Sequence, residues 1–164
     1  MNSLFFSTIE VTRQAFYRSS LSYAIVNYKP IVPGHVLVIP TRHVPRLADL
    51  NEQELSSLMR AIQQVGSVIE RAYGADALTV ACQDGKAAGQ SVPHVHFHLL
   101  PRKSAGDQFS GRNNDQIYPA LEKAEAEMVQ PLKVDADEDR VARSTEDMEK
   151  EATWLKGFFP AEGQ

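Results

Sequence analysis

The sequence predicts one domain of mixed helices and strands, with the first strands paired antiparallel. Three stretches carry that prediction. Two short apolar runs, 21–27 and 35–39, flank a loop containing Pro and Gly. An amphipathic stretch with a capping signal spans 51–73. Residues 93–100 then alternate histidine with apolar side chains. A period of two reads as strand, and steps of three and four read as helix. A chain of 164 residues is the size of a single domain and long enough to bury a real core.

Leu21-Ser22-Tyr23-Ala24-Ile25-Val26-Asn27 is partly aromatic and β-branched and reads as the first strand. Lys29-Pro30 and Pro33-Gly34 mark the loop after it. His35-Val36-Leu37-Val38-Ile39 is the second strand, stopped by Pro40. Asn51, with Glu54 three residues on, opens the main helix over 51–73 as a capping box. Leu55, Leu58, Met59, Ile62, Val65 and Ile69 form its core-facing stripe, and Gly74 marks its end. A third strand covers 78–83, and a turn from Asp84-Gly85 runs through Gly89. Residues 93–100 form the histidine strand.

Beyond 103 the chain changes character. Gly, Ser, Asn and Asp predominate up to 116 with little periodicity, which predicts a mobile loop. A short acidic helix follows over 119–129, and residues 133–143 are charged and exposed. Ser144 or Thr145 caps a final helix, with Met148, Ala152 and Leu155 on one stripe. The division is a core over about 1–103, a mobile loop over about 103–117 and a helical tail over about 118–164.

Apolar residues make up 43% and charged residues 23%, ordinary proportions for a globular protein. The net charge of −4 leaves no basic surplus for a polynucleotide backbone, but a small anionic ligand held by a few donors fits. The single cysteine, Cys82, forms no internal disulfide and reads as a small buried strand residue. It fits a reducing compartment: the cytoplasm is expected, with the nucleus as the other choice. The N-terminus lacks a basic, apolar secretion signal, and no run approaches the roughly 18 apolar residues of a membrane span.

On a strand, His94, His96 and His98 share one face, and Val95, Phe97 and Leu99 share the other. The apolar row suits a core. The histidine row has three readings. A metal is one, but at about 3.3 Å per residue the outer two histidines start roughly 13 Å apart, so a straight strand supplies two ligands, not three. Structural histidines are the second, and they need three separate buried polar partners. Catalysis is the third. Neutral and charged imidazoles coexist near neutrality, one as nucleophile and another as acid or electrostatic clamp. Transfer at phosphorus needs those parts, and His96 has a partner on each side. Gly85 and Gly89 let backbone approach a ligand, and Gly89-Gln90-Ser91 offer N–H groups and a hydroxyl.

The run His94-Val95-His96-Phe97-His98-Leu99-Leu100 resembles the histidine triad motif, His-x-His-x-His followed by apolar residues. Within that superfamily the chain resembles the fragile histidine triad branch of dinucleoside polyphosphate hydrolases. Residues 26–38, Gln83-Asp84-Gly85, Ala88-Gly89-Gln90-Ser91-Val92 and Leu100-Pro101-Arg102-Lys103 carry the likeness, with Arg143-Ser144 as a weaker match. The resemblance implies an α+β fold: an antiparallel sheet of about five strands, one long helix packed on it and a C-terminal helix, in a homodimer. It implies that His96 attacks the α-phosphorus of diadenosine triphosphate and forms a nucleotidyl-histidine, which water releases as AMP after ADP has left. His98 would lie beside the phosphate and bridging oxygen, His94 would support the phosphate site, and His35 would orient. Gln83 would bind the phosphate chain and Asn27 the ribose. Gly89, Gln90, Ser91 and Val92 would wrap the phosphate, and Phe5, Ile25 and Leu37 would form a slot for the base. Tyr118 matches a tyrosine of the mobile loop and reads as an ordinary exposed residue. No tightly bound cofactor or protein-held metal is implied; a divalent cation would accompany the substrate phosphates. Two alternatives stand: a phosphoramidase or other nucleotidyl hydrolase with the same nucleophile, or a nucleotide-loaded signalling module with slow turnover. Leu100-Pro101-Arg102 argues against the phosphoramidase branch, which carries glycines there.

Overall fold

The computed structural model describes residues 2–128 and 142–161. A short hairpin, β1 (Phe5–Phe6) and β2 (Ile9–Glu10), precedes β3 (Ala15–Arg18), β4 (Ser22–Val26) and β5 (Val36–Pro40). Then come α1 (Glu52–Ala72), β6 (Ala77–Ala81), β7 (Phe97–Arg102), α2 (Ile117–Glu127) and α3 (Thr145–Lys156). β3 to β7 form one antiparallel sheet in the order β3-β4-β5-β7-β6. The expected α+β fold, with its five-stranded sheet, long helix and C-terminal helix, is what the chain adopts. β7 lies between β5 and β6, so it has a hydrogen-bonded neighbour on each side. His98 sits opposite Leu37 on β5 and Ala81 on β6.

α1 begins with a capping box. Asn51 Oδ1 accepts from the Glu54 N–H at 2.9 Å, and Glu54 Oε1 accepts from the Asn51 N–H at 3.0 Å. The Arg42 guanidinium donates twice to the same Glu54 carboxylate, at 2.9 and 2.8 Å. Leu58, Ala61, Ile62, Val65, Val68 and Ile69 are buried against Ala24, Val26, Val36, Val38 and Leu99 on one sheet face. Leu55 and Met59, expected in the stripe, are exposed instead, because the buried arc turns through Ala61 and Val68. α3 is capped by Ser144 Oγ, which accepts from the Asp147 N–H at 3.1 Å, and it adds Met148, Ala152 and Leu155 to the same core.

The other sheet face carries two smaller clusters. Leu4, Phe6 and Val11 from the N-terminal hairpin region cover Tyr23, Ile25, Leu37 and Ile39. Ile117, Leu121 and Ala124 of α2 cover Ile31, Val32, Leu100 and Phe109. Helices α1 and α3 thus back the sheet, while the histidine side is roofed by the hairpin and α2.

Several expected boundaries shift. The histidine strand, expected over 93–100, begins at Phe97. Pro93 has no N–H to offer a ladder, the His94 N–H turns back to the Val92 carbonyl at 2.8 Å, and the Val95 N–H goes to the Val44 carbonyl. The 103–116 loop contains a 3-10 stretch at Gly111–Gln116 and buries Phe109. The acidic helix spans 117–127 rather than 119–129, with Pro119 tolerated in its first turn. Most of the charged segment expected over 133–143 lies outside the described residues.

Candidate active site

Register decides which histidine nitrogens can meet. His98 projects from β7 on the face opposite α1, and His96 projects to the same side just before the strand begins. Both are buried, His96 at 2% exposure. Their ring centroids lie 5.4 Å apart, and the Phe6 ring stands edge-on to His96 at 5.0 Å.

Hydrogen-bond partners fix where the protons sit. The Ile31 N–H donates to His35 Nδ1 at 3.2 Å. His35 Nε2–H therefore donates to His98 Nδ1 at 2.9 Å, and His98 Nε2 keeps its hydrogen for a ligand. A second chain starts at Ser7, whose N–H donates to His94 Nδ1 at 3.0 Å. His94 Nε2–H then donates to the Pro40 carbonyl at 2.8 Å. The His94 carbonyl accepts from His96 Nδ1–H at 2.7 Å, which fixes the ring with Nε2 outward. One chain thus ends in a donor on His98 Nε2, and the other aims His96 Nε2 into the same space. Burial pushes the His94 imidazole down to about 4 and lowers that of His98 as well, so both are neutral near pH 7.

What fills the space in front of these atoms is Glu125 of α2, at 1% exposure. Its Oε1 and Oε2 lie 2.9 and 2.8 Å from His96 Nε2. His98 Nε2–H donates to Oε2 at 2.8 Å. The Ser91 N–H and Oγ–H donate to Oε1 at 3.1 and 3.2 Å. Burial opposes ionisation of this carboxyl, but hydrogen bonds from His96 and His98 outweigh it and hold the group well below the usual carboxylate range. The site therefore binds a planar anion through two imidazoles, one backbone amide and one hydroxyl. His96 Nε2, His98 Nε2 and a Glu125 oxygen are also donor types that zinc accepts, and they lie within 4.8 Å of one another.

The other expected site residues fall into place unevenly. Gly89 adopts the left-handed conformation at φ +94°, the bend that brings Ser91 to the histidines. Gln83 lies behind that bend with its buried Oε1 unpartnered. Val92 is buried beneath Phe6, Ile25 and Leu37. Asn27 donates to the Lys29 carbonyl at 3.1 Å and lies 3.2 Å from His35 Nδ1, so it braces the orienting histidine. The Gln90 side chain is engaged within the loop, accepting from the Gly85 N–H and donating to the Pro45 carbonyl, and does not face the histidines. His94 departs from the expectation that three ring nitrogens share one centre: both of its nitrogens bond to backbone, and it acts on His96 through its carbonyl. Phe5 is 49% exposed; its neighbour Phe6 packs with Ile25 and Leu37 instead, because the hairpin turns alternate side chains outward. Tyr118 is 55% exposed on the first turn of α2.

A family model for the HIT domain matches residues 8–105. The chain belongs to the HIT domain family. This HIT protein is 47% identical over 178 aligned residues to the Schizosaccharomyces pombe protein named bis(5'-nucleosyl)-tetraphosphatase [asymmetrical], covering 97% of this chain and 96% of that one. It is 50% identical to an Arabidopsis thaliana bifunctional bis(5'-adenosyl)-triphosphatase/adenylylsulfatase, over 90% of this chain and 78% of the relative. Its fold matches the C. elegans NitFhit protein with a TM-score of 0.71 at 31% identity, over 96% of this chain but 30% of that longer one. A Plasmodium falciparum diadenosine triphosphate hydrolase matches equally, with a TM-score of 0.71 at 26% identity over 96% of this chain and 84% of the other.

Three residues of this HIT site went unread in the sequence: Phe6, His43 and Glu125. His43 stacks on His94 at 4.7 Å, a contact that no spacing rule announces. Glu125 did leave a signal. It sits at the end of the Ile117, Leu121, Ala124 stripe, where an acidic residue on an apolar arc needs a buried partner.

Proposed function

We infer that the protein hydrolyses dinucleoside polyphosphates, splitting diadenosine triphosphate into AMP and ADP through a nucleotidyl-histidine. One observation carries the reading: His96 Nε2, with Nδ1 pinned to the His94 carbonyl, faces a buried anion that His98 and Ser91 also hold. In the first step His96 Nε2 bonds to the α-phosphorus as the bond to the bridging oxygen breaks. ADP leaves with that oxygen, and His98 Nε2–H supplies the nearest donor to it. Ser91 steadies the non-bridging oxygens. Water then attacks the same phosphorus and releases a proton to solvent as the N–P bond breaks, and AMP departs with neutral His96 restored. Gln83, with its orphaned carbonyl oxygen, would bind the polyphosphate chain, and Phe6 with Ile25 and Leu37 would form the base slot. No resident cofactor enters either step. A strong chelator should leave the protein's own groups competent, with any divalent ion acting on the substrate phosphates.

The names of the relatives support this substrate class, and the Schizosaccharomyces pombe relative favours a second reading in which a tetraphosphate is split asymmetrically. Incubation with each dinucleotide in oxygen-18 water tests both. The label should enter AMP alone; label in ADP or ATP would place the attack at another phosphorus. We also propose a homodimer in a reducing compartment, cytosol or nucleus. β6 borders the sheet with Val80 exposed, and burial pushes the Cys82 thiol up to about 11, away from redox chemistry. No helix among the described residues is long and apolar enough to cross a membrane.

A further inference from the structure

We propose that Glu125 is a built-in substitute for the substrate's α-phosphate, so that α2 holds the enzyme closed until a nucleotide displaces it. The proposal rests on the phosphate-site reading above. The Glu125 carboxylate takes a hydrogen bond from His98 Nε2 and two from Ser91, and its two oxygens lie 2.9 and 2.8 Å from His96 Nε2. These are the groups that the reading assigns to the nucleotide. A nucleophile approaches phosphorus from about 3–3.5 Å along the line of the leaving bond. With a carboxylate oxygen already at 2.8 Å from His96 Nε2, carboxylate and phosphate exclude each other.

His96 Nδ1–H is committed to the His94 carbonyl, so the ring cannot turn Nε2 away from Glu125, and the nucleophile is covered.

α2 is suited to leaving. It has eleven residues, a length that is marginal for a helix on its own. Its apolar contribution is Ile117, Leu121 and Ala124, which belong to a small cluster separate from the core under α1. The rest of the site does not move with it, because His35, His94 and His96 are fixed to backbone groups of other elements. Substrate phosphate replaces one anion by another on a preformed set of donors.

AMP binding by calorimetry on the full chain tests this, comparing wild type with Glu125→Ala. If the closed state holds about 90% of the molecules, releasing it tightens apparent AMP affinity about tenfold. Hydrogen exchange on the wild-type protein gives a second measurement that does not depend on the variant folding. Amides of residues 117–127 should exchange faster when AMP saturates the site. Equal AMP affinity in both proteins, or exchange over 117–127 unchanged or slowed by AMP, overturns the substitute role while the phosphate-site reading stands. Failure of AMP to bind either protein overturns the phosphate-site reading, and the proposal with it.

Discussion

In the proposed reaction His96 owes its reactivity to residues that never touch substrate. Its Nδ1 hydrogen is held by the His94 carbonyl, and His94 is itself held by Ser7 and Pro40. Replacing His96 by Asn keeps a polar side chain but removes the nucleophile. Turnover of diadenosine triphosphate should fall on the order of 10⁴-fold while substrate affinity stays within a few-fold. Steady-state kinetics with an affinity measurement check this, and retained turnover would remove His96 from the reaction. His94 predicts how stability changes with pH. Its folded value of about 4 lies below the ordinary imidazole value near 6.5, so the unfolded chain takes up a proton that the folded chain refuses. That stability is complete above about pH 6.5 and is lost as pH falls toward about 4, by about 3 kcal/mol. Burial of His98 acts in the same direction. Denaturant unfolding at a series of pH values measures the slope, and a flat profile between pH 7 and about 4.5 contradicts it.

Regular elements were legible wherever a local signal had a local cause. The Asn51–Glu54 box marks the start of α1 because both partners lie within one turn, and Ser144 marks α3 in the same way. Asn51→Ala removes one of these bonds directly and should cost about 1 kcal/mol, lowering the melting temperature by about 2–4 °C. An unchanged melting temperature would show that Arg42 alone holds Glu54 and the helix start. Elements defined by distant partners were not legible. β1 and β2 are two residues each, too short for any period to register. The start of β7 is set by what Pro93, His94 and Val95 bond to elsewhere, so the alternation visible from 93 overstates the strand. Leu55 and Met59 fit the helical stripe equally well in sequence, and only the position of the sheet decides that they face outward.

The molecule is a two-sided sheet, with α1 and α3 packed on one face and the histidines on the other under the hairpin and α2. The histidine side was legible as a candidate site because three imidazoles on one face are costly to bury without a purpose. Ser91 meets the same Glu125 carboxylate as His96 and His98, and Gln83 lies against Gly89 with its buried Oε1 unpartnered. The roof was not legible. Phe6 arrives from the N-terminus and Glu125 from beyond β7, and long-range packing alone brings them to His96. The proposed mechanism requires His96 Nε2 to be the atom that bonds to phosphorus. Rapid quench of the enzyme with adenine-labelled diadenosine triphosphate, followed by peptide mapping, measures that bond directly. An acid-labile AMP adduct should appear on His96 and be absent from His96→Asn. Label on another residue, or steady turnover with no adduct at any quench time, would contradict it.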